Sequence, residues 1–357
     1  MRKFFFLPVS IIWALIMSIR RSFFNGSKQK RRIKFSKPVI CIGNLCMGGS
    51  GKTPHTEYLI RLLSNHFQLA VLNRGYGRTT KGFMFADSLS TNKTIGDEPY
   101  LYYRKYPNLA VAVCEKRVEG LKKIWQKLPE VEVALLDDAF QHLQLKAGLN
   151  ILLTDYYHLY SDDFVFPSGN LRELPSAAKE ADIIIVSKSP AMVTPLEERI
   201  ILNKLNPLPE QKVYFSHIRY GDMIPLTPFA SKQKEDPKSV VVFTGIHNSY
   251  PLISFLKEKY KDIQIYTCRD HHRFTKKDID KVNYLLNRAI SPYKAVITTE
   301  KDASRLMDKS IKDIIQDMPI YYIPIIVDFH SKYKCDYNQQ IFNYVGKYKS
   351  NNELYYK

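Results

Sequence analysis

The segment IGNLCMGGSGKTP, residues 42–54, constrains the fold more than any other stretch of the chain. It follows the apolar run PVICIG and opens the amphipathic stretch HTEYLIRLL, so a strand, a glycine-rich turn and a helix succeed one another. Gly48, Gly49 and Gly51 let successive backbone N–H groups curl around an anion, and the helix N-terminus adds the positive end of its dipole. Lys52 can reach the β- and γ-phosphates of a nucleotide and the Thr53 hydroxyl can ligate Mg²⁺. Pro54 suits the first helical turn, where its missing N–H costs little. A glycine turn without a ligand would not need strand, GGSGKT and helix in this order. The loop departs from the pattern GxxxxGK[ST] at one position, with Cys46 where a glycine is expected.

Such a phosphate loop belongs in a parallel sheet, and the rest of the chain supplies one. The runs PVICIG, QLAVLN, VEVALLDD, NILLTD, ADIIIVSK, SVVVFTG, IQIYT and KAVITT are apolar on both faces, the pattern of parallel strands buried under helices. The predicted fold class is α/β: a P-loop NTPase-like parallel sheet domain, a second, smaller α/β domain, and an N-terminal membrane-associating helix. KVYFSHIRYGDMIPL reads as an antiparallel excursion, and the charged, apolar-poor SKQKEDPKS, residues 231–239, marks a break. The expected division is 1–30 for the anchoring helix and basic segment, 31–230 for the P-loop domain, 231–345 for the smaller domain and 346–357 for a solvated, tyrosine-rich tail.

A phosphate loop needs an acidic residue at the end of a neighbouring strand to hold the metal shell, and VEVALLDDAFQH offers Asp137 and Asp138. Phosphoryl transfer also needs an acceptor and a group to take its proton. Two segments offer one. Gly96, Asp97, Glu98 and Pro99 form a polar turn ahead of an aromatic helix start, which would also serve as a plain helix entry. CRDHHRF, residues 268–274, follows the strand IQIYT, and the carboxyl end of a strand is where α/β sheets place catalytic groups. A metal site of Asp270, His271 and His272 lacks a further His or Cys cluster to complete it, so support of a general base is the better reading.

The formal net charge of +18 is unevenly spread, because residues 1–40 hold ten basic side chains and no acidic one. Only about +8 remains for the other residues, which argues against a nucleic-acid-binding surface. Phe4 to Ile19 carry no charge and are followed by Arg20, Arg21 and KQKRRIKFSK. Sixteen residues make about 24 Å of helix against a hydrocarbon core of about 30 Å, and Pro8 interrupts the first turns, so a span is marginal. A secretory signal lacks its small-residue cleavage site here and is followed by a dense basic run. A monotopic anchor fits better, with the apolar body in the bilayer surface and basic residues at anionic headgroups, each adding about 1 kcal/mol. Cys41, Cys46, Cys114, Cys268 and Cys335 form neither CxxC nor finger spacings, so they read as reduced cysteines of a cytoplasmic chain.

GNLCMGGSGKTP, NRGYGR (73–78), GDEP (96–99), LLDDAFQH (135–142), FPSGNLRE (166–173), TGIHN (244–248), DHH (270–272) and TTEKDA (298–303) occur in this order. In that series the chain resembles the tetraacyldisaccharide 4′-kinases, the lipid A biosynthesis kinases of Gram-negative bacteria, from the anchor to about residue 330. The resemblance implies transfer of the ATP γ-phosphate to the 4′-hydroxyl of a tetraacylated glucosamine disaccharide 1-phosphate. The product is lipid IVA and the place is the cytoplasmic face of the inner membrane. It implies a nucleotide-binding loop of Met47, Gly48, Gly49, Ser50, Gly51, Lys52, Thr53 and Pro54, with Thr53, Asp137 and Asp138 around Mg²⁺. Asp97 matches the catalytic base and His271 the partner that orients it. Arg172 and Glu173 match an active-site pair, and Arg74, Tyr76 and Arg78 a basic aromatic loop. Two α/β domains joined by a two-stranded linker, with ATP in the cleft, are also implied. The family often has DDGLQH where this chain has DDAFQH, and Thr in place of Cys46.

Two rivals remain. Another membrane-associated P-loop ATPase, or a GTPase, shares the loop; a GTPase needs an [NT]KxD segment, and TTEKDA has the wrong order while Ser187-Lys188 is followed by Ser-Pro. A non-enzymatic basic membrane or nucleic-acid-binding protein explains the N-terminus but not the loop, the Asp pair and DHH together.

Overall fold

The runs that are apolar on both faces become buried parallel strands, because helices cover the sheet from both sides. The computed structural model of the protein describes residues 6–25, 32–246, 248–270 and 272–355. It contains two compact units: Met1–Leu89, Tyr102–Ile218 and Val327–Lys357 form the first, Ser90–Leu101 and Arg219–Ile326 the second.

The first unit is built on the strands β1 (Val39–Asn44), β2 (Leu69–Asn73), β3 (Met84–Phe85), β4 (Ala110–Val113), β5 (Val133–Asp137), β6 (Leu149–Asp155), β7 (Ile183–Ser187) and β8 (Lys212–Tyr220), with β14 (Ile325–Phe329) returning beside β8. The order is β14-β8-β7-β6-β1-β5-β2-β4-β3. β1 runs parallel between β5 and β6, with Ile42 opposite Asp137 on one side and Ile151 on the other. The chain leaves β1 toward β2 and later fills the opposite side with β6, β7 and β8, so the carboxyl end of β1 is a topological switch point, where such sheets bind ligands. Alternate residues of β1 enter opposite cores. Val39 and Cys41 join Leu72, Leu121, Leu136 and Ile184, whereas Ile40 and Ile42 join Leu59, Val71, Leu135 and Tyr337.

The helices named here are α1 (Leu7–Asn25), α2 (Lys52–Leu63), α3 (Asp97–Lys105), α4 (Arg117–Lys127), α5 (Pro195–Leu205), α6 (Tyr250–Lys259), α7 (Lys276–Arg288), α8 (Glu300–Leu306) and α9 (Ser331–Tyr355). α9 corrects the expected division. Residues 327–345, assigned from sequence to the second domain, bury Val327, Phe329, Tyr337, Ile341 and Val345 in the first unit's core. Tyr337 stacks on Phe329 with ring centroids 4.2 Å apart and meets Tyr214 edge-on at 5.3 Å. The tail continues the same helix to Tyr355 instead of leaving it at residue 346. The expected antiparallel excursion is met in part: β8 runs parallel to β7 on one side, but on the other the returning chain runs antiparallel to it, with His330 donating to the Phe215 carbonyl and Gly221 to the Pro324 carbonyl, and β9 (Ile224–Pro225) is antiparallel to β13.

In the second unit β10 (Ser239–Thr244), β11 (Asp262–Thr267), β12 (Lys294–Thr299) and β13 (Ile320–Ile323) form a sheet in the order β11-β10-β12-β13-β9. Val241, Phe243, Ile279, Val282 and Leu286 fill one face and Val242, Leu252 and Leu256 the other. Residues 90–101 sit in this unit although the sequence places them in the P-loop domain. Ion pairs hold them there: Lys93–Asp308 at 2.7 Å, Asp97–Arg305 at 2.7 Å and Glu98–Lys301 at 2.8 Å.

α1 lies along the first unit. Ser10 is buried and its Oγ accepts the Ser168 N–H at 2.9 Å, Trp13 donates to the Arg172 carbonyl at 3.4 Å, and Arg21 pairs with Glu173 and Glu180. Ile11, Ile12, Leu15, Ile16, Ile19 and Phe23 point outward, each half exposed or more. By length and composition Leu7–Phe24 is also long and apolar enough to cross a membrane.

Two measurements check this packing. Tyr337→Ala removes a fully buried ring and is expected to cost about 3–5 kcal/mol, lowering the urea midpoint; an unchanged midpoint would refute the placement of α9. His55, in the first turn of α2, bonds the Gly51 carbonyl at 2.7 Å and Ser216 Oγ at 2.8 Å, and burial pushes its imidazole from 6.5 down to about 4. Between those values the unfolded chain binds the extra proton, so stability is full above pH 6.5 and falls toward pH 4 by up to about 1.4 kcal/mol per pH unit. His55→Gln should flatten that slope relative to the parent protein, and identical slopes would contradict the assignment.

Candidate active site

The loop after β1 has the geometry that its glycines permit. Gly48 and Gly51 adopt positive φ, 107° and 83°, and Gly51 caps α2 in the left-handed conformation. A Cβ added at Gly49 would meet no atom within 4 Å, so the space over the loop is open. Cys46 needs no glycine conformation, because it forms an antiparallel bridge with Leu171. FPSGNLRE is therefore the wall of the loop: Met47 donates to the Asn170 carbonyl at 2.7 Å and Arg172 donates to the Leu45 carbonyl at 2.7 Å. Ser50 is buried, with its carbonyl accepting the Ser187 hydroxyl at 2.9 Å. Lys52, Thr53 and Pro54 form the half-buried first turn of α2.

The two aspartates at the end of β5 part company. Asp137 is 2% exposed and accepts from Asn73 Nδ2 at 3.0 Å and from the Tyr102 hydroxyl at 2.8 Å. Burial, with Asp137 and Glu57 nearby, pushes the Tyr102 phenol well above its ordinary value, so it remains a donor. Asp138, with φ of 52°, turns its carboxylate toward the loop. Arg172 Nη1 donates to both its oxygens at 3.1 and 3.2 Å, and Lys52 Nζ stands 3.6 Å away. Burial alone would raise its carboxyl, but Lys52, Arg172 and Arg117 outweigh that and hold it below the usual carboxylate range. Lys52 also donates to Asn44 Oδ1 at 3.1 Å, and buried Arg117 donates to the Asp138 carbonyl at 3.0 Å.

Arg172 and Glu173 do not pair with each other. Arg172 faces Asp138, whereas buried Glu173 takes Arg21 of α1 and lies 3.8 Å from Arg20, so adjacent residues join the loop to the N-terminal helix. Arg20 also donates to the Gln141 carbonyl at 3.1 Å, and Gln141 donates to the Asn44 carbonyl at 2.6 Å. His142 is pushed to about 4 by burial and by Arg117, Arg20 and Arg74, so it is neutral near pH 7. In NRGYGR, Arg78 closes the loop internally on Glu115 and the Gly82 carbonyl, whereas Arg74 and Tyr76 project as exposed side chains.

The second unit carries the remaining candidates. Asp97 opens α3 and its Oδ2 accepts from Arg305 Nη2 at 2.7 Å and Nε at 3.1 Å. His271 lies outside the described residues. His272 Nε2 is 3.0 Å from Asp278 Oδ2, and Asp278 also accepts the Tyr266 hydroxyl at 2.8 Å and the Thr275 N–H and hydroxyl at 2.8 and 2.7 Å. Burial would raise the Asp278 carboxyl, but these donors bring it to about 2. Among the described residues the metal-capable cluster here is Cys268, His272 and Asp278, which leaves out Asp270, and His272 bonds the Asp278 side chain that caps the start of α7.

Sequence reasoning missed Asn44, Asn73, Tyr102, Arg117 and Arg305. Asn73 stands inside NRGYGR, and Arg305 follows Asp302 of TTEKDA by one helical turn, which were the available signals. Nothing in the sequence around Tyr102 or Arg117 sets them apart.

The described geometry is that of a phosphate-binding loop in one unit and an acid–arginine cluster in the other, and comparison with known proteins gives this a family. Residues 2–341 match the family described as tetraacyldisaccharide-1-P 4′-kinase. A tetraacyldisaccharide 4′-kinase of Bacteroides thetaiotaomicron is 39% identical over 97% of this chain and 94% of its own length. Another, from Flavobacterium johnsoniae, is 37% identical over 97% of each chain. The fold is similar to the crystal structure of LpxK from Aquifex aeolicus in complex with ATP, with a TM-score of 0.72 at 24% identity, covering 97% of this chain and 100% of that one. Identity at this level over 97% of the chain spans both units, and the protein belongs to the tetraacyldisaccharide 4′-kinase family.

Proposed function

We propose that the protein transfers the γ-phosphate of ATP to the 4′-hydroxyl of a tetraacyldisaccharide 1-phosphate, forming lipid IVA in lipid A biosynthesis. The observation that carries the reading is the charge group at the mouth of the loop, where Lys52 and Arg172 converge on an ionised Asp138. Backbone N–H groups of the loop between Gly48 and Thr53 and the ammonium of Lys52 would hold the ATP phosphates, and Arg172 would neutralise charge as the phosphoryl moves. The Thr53 hydroxyl and the Asp138 carboxylate are hard oxygen donors of the kind Mg²⁺ takes, and Asp138 stays ionised as a ligand must. Bound there, the ion would offset negative charge on the β- and γ-phosphates. Asp137, held by Asn73 and Tyr102, fixes the end of β5 from beneath.

Asp97 is the base in this reading, taking the proton of the sugar hydroxyl late in a loose transition state, with His271 as its partner. Arg74 and Tyr76 are candidates to touch the anionic sugar substrate, while Arg78 keeps their loop in shape.

The acceptor carries four acyl chains, which asks for a membrane surface. α1 docks through Ser10, Trp13 and Arg21 and turns isoleucines outward, so we place it in the plane of the cytoplasmic face of the inner membrane, with the basic N-terminal residues at anionic headgroups.

With labelled ATP and the disaccharide 1-phosphate in detergent, Lys52→Ala and Asp138→Asn should lower kcat by about 10²–10³-fold. Asp97→Asn should lower it by about 10²–10⁴-fold. Absence of transfer by the unmodified protein would refute the kinase reading, and full activity in a variant would refute that residue's role. The triple change Ile12→Gln, Ile16→Gln and Ile19→Gln should release the protein from phosphatidylglycerol-containing vesicles while activity in detergent persists. Undiminished sedimentation with vesicles would contradict the in-plane anchor.

A further inference from the structure

TGIHN and TTEKDA take no part in the reaction described so far, yet their polar atoms converge on one buried charge. The Asp302 side chain is fully buried. Its Oδ2 accepts the Thr244 hydroxyl at 2.7 Å, the Gly245 N–H at 3.0 Å and the Thr299 hydroxyl at 2.8 Å. Its Oδ1 accepts Arg305 Nη1 at 2.9 Å, and that nitrogen also donates to the Gly245 carbonyl at 3.0 Å. The other two guanidinium nitrogens, Nε and Nη2, both reach Asp97 Oδ2. Arg305 is thus locked on its inner side by Asp302 and the turn after β10, and on its outer side presents a planar pair of donors to Asp97.

We propose that Arg305 is a positioning residue for phosphoryl transfer, holding the Asp97 carboxylate in a single orientation, and that the TGIHN and TTEKDA segments form its mount. The inference rests on the reading of Asp97 as the base. Three features favour positioning over a simple surface ion pair. Arg305 is only 5% exposed and its partner Asp97 17%, so the contact is sheltered from the screening that makes surface pairs weak. Two guanidinium nitrogens converging on the one oxygen Oδ2 fix where that oxygen lies as well as supplying charge, which an ammonium on a flexible stem does not. The mount is also close-packed: a Cβ at Gly245 would lie 3.2 Å from the Arg269 carbonyl, 3.3 Å from His272 Cβ and 3.6 Å from Asp302 Oδ1. The glycine therefore lets the arginine mount and the segment carrying DHH approach one another. Asp302 keeps the arginine's inner half neutralised, and Glu98–Lys301 at 2.8 Å adds a second tie between the start of α3 and α8.

The test is a double-mutant cycle on the full-length protein, with kcat and KM for ATP and the disaccharide 1-phosphate measured in detergent for Arg305→Met and Arg305→Lys, each alone and combined with Asp97→Asn. A misplaced catalytic group costs up to about 10²-fold, so Arg305→Met should lower kcat by about 10–100-fold with KM for ATP within about twofold. Arg305→Lys should recover part of that loss. In the Asp97→Asn background, Arg305→Met should cause no further loss, because the group it positions is already disabled. Equal losses in both backgrounds, or a parent-like rate in Arg305→Met, would overturn the proposal while leaving the base assignment intact. A parent-like rate in Asp97→Asn would instead remove the base assignment, and the proposal with it. If circular dichroism shows Arg305→Met unfolded, Arg305→Lys decides: a reduced kcat in the folded variant, absent in the Asp97→Asn background, supports positioning, and an unchanged kcat overturns it.

Discussion

The contact on which the proposed chemistry of the first unit depends is the approach of Lys52 and Arg172 to Asp138. It brings together the helix after the glycine loop, the end of β5 and the FPSGNLRE wall. Both cations favour the ionised form of this half-buried carboxylate, and the carboxylate between them holds the two cations in a mutual geometry suited to phosphate. A nucleotide phosphate entering the loop would find a site whose charges are already placed, which is how a site stabilises developing charge without reorganising.

Around that contact the fold distributes its labour between neighbours in sequence. Asp137 goes down into the core and Asp138 up to the loop; Glu173 goes to α1 and Arg172 to Asp138. In each pair one residue anchors and the other faces the chemistry. The second of these pairs ties α1 directly to the loop, so the element proposed to meet the lipid surface is fastened one residue away from a charge that would meet the nucleotide.

The parallel strands, the glycine loop and the α/β class were legible because they rest on local signals: continuous apolar runs, a fixed glycine spacing and a strand–turn–helix order. Family membership was legible from the series of motifs. What stayed hidden was set by contacts between distant residues. Asp97 and Arg305 are 208 positions apart, and no property of GDEP says that it will leave its sequence neighbours for the second unit. The aromatic stripe of Tyr333, Tyr337 and Tyr344 has helical spacing, but its basic, polar setting resembles a solvated tail until Phe329 and Tyr214 are found beneath it. The antiparallel character of β8 is legible because it is real on the side of the returning chain, whereas its parallel pairing with β7 is set by a distant strand that the local pattern does not show.

The central claim is that the phosphate site serves transfer to a sugar hydroxyl. The most direct measurement is phosphorus NMR of the lipid recovered after incubation of the unmodified protein with ATP, Mg²⁺ and tetraacyldisaccharide 1-phosphate. The account predicts a second phosphomonoester signal coupled to the proton on the 4′ carbon, in amounts equal to the ADP formed. Release of inorganic phosphate alone, with the lipid unchanged, would contradict it and leave an ATPase in place of a kinase.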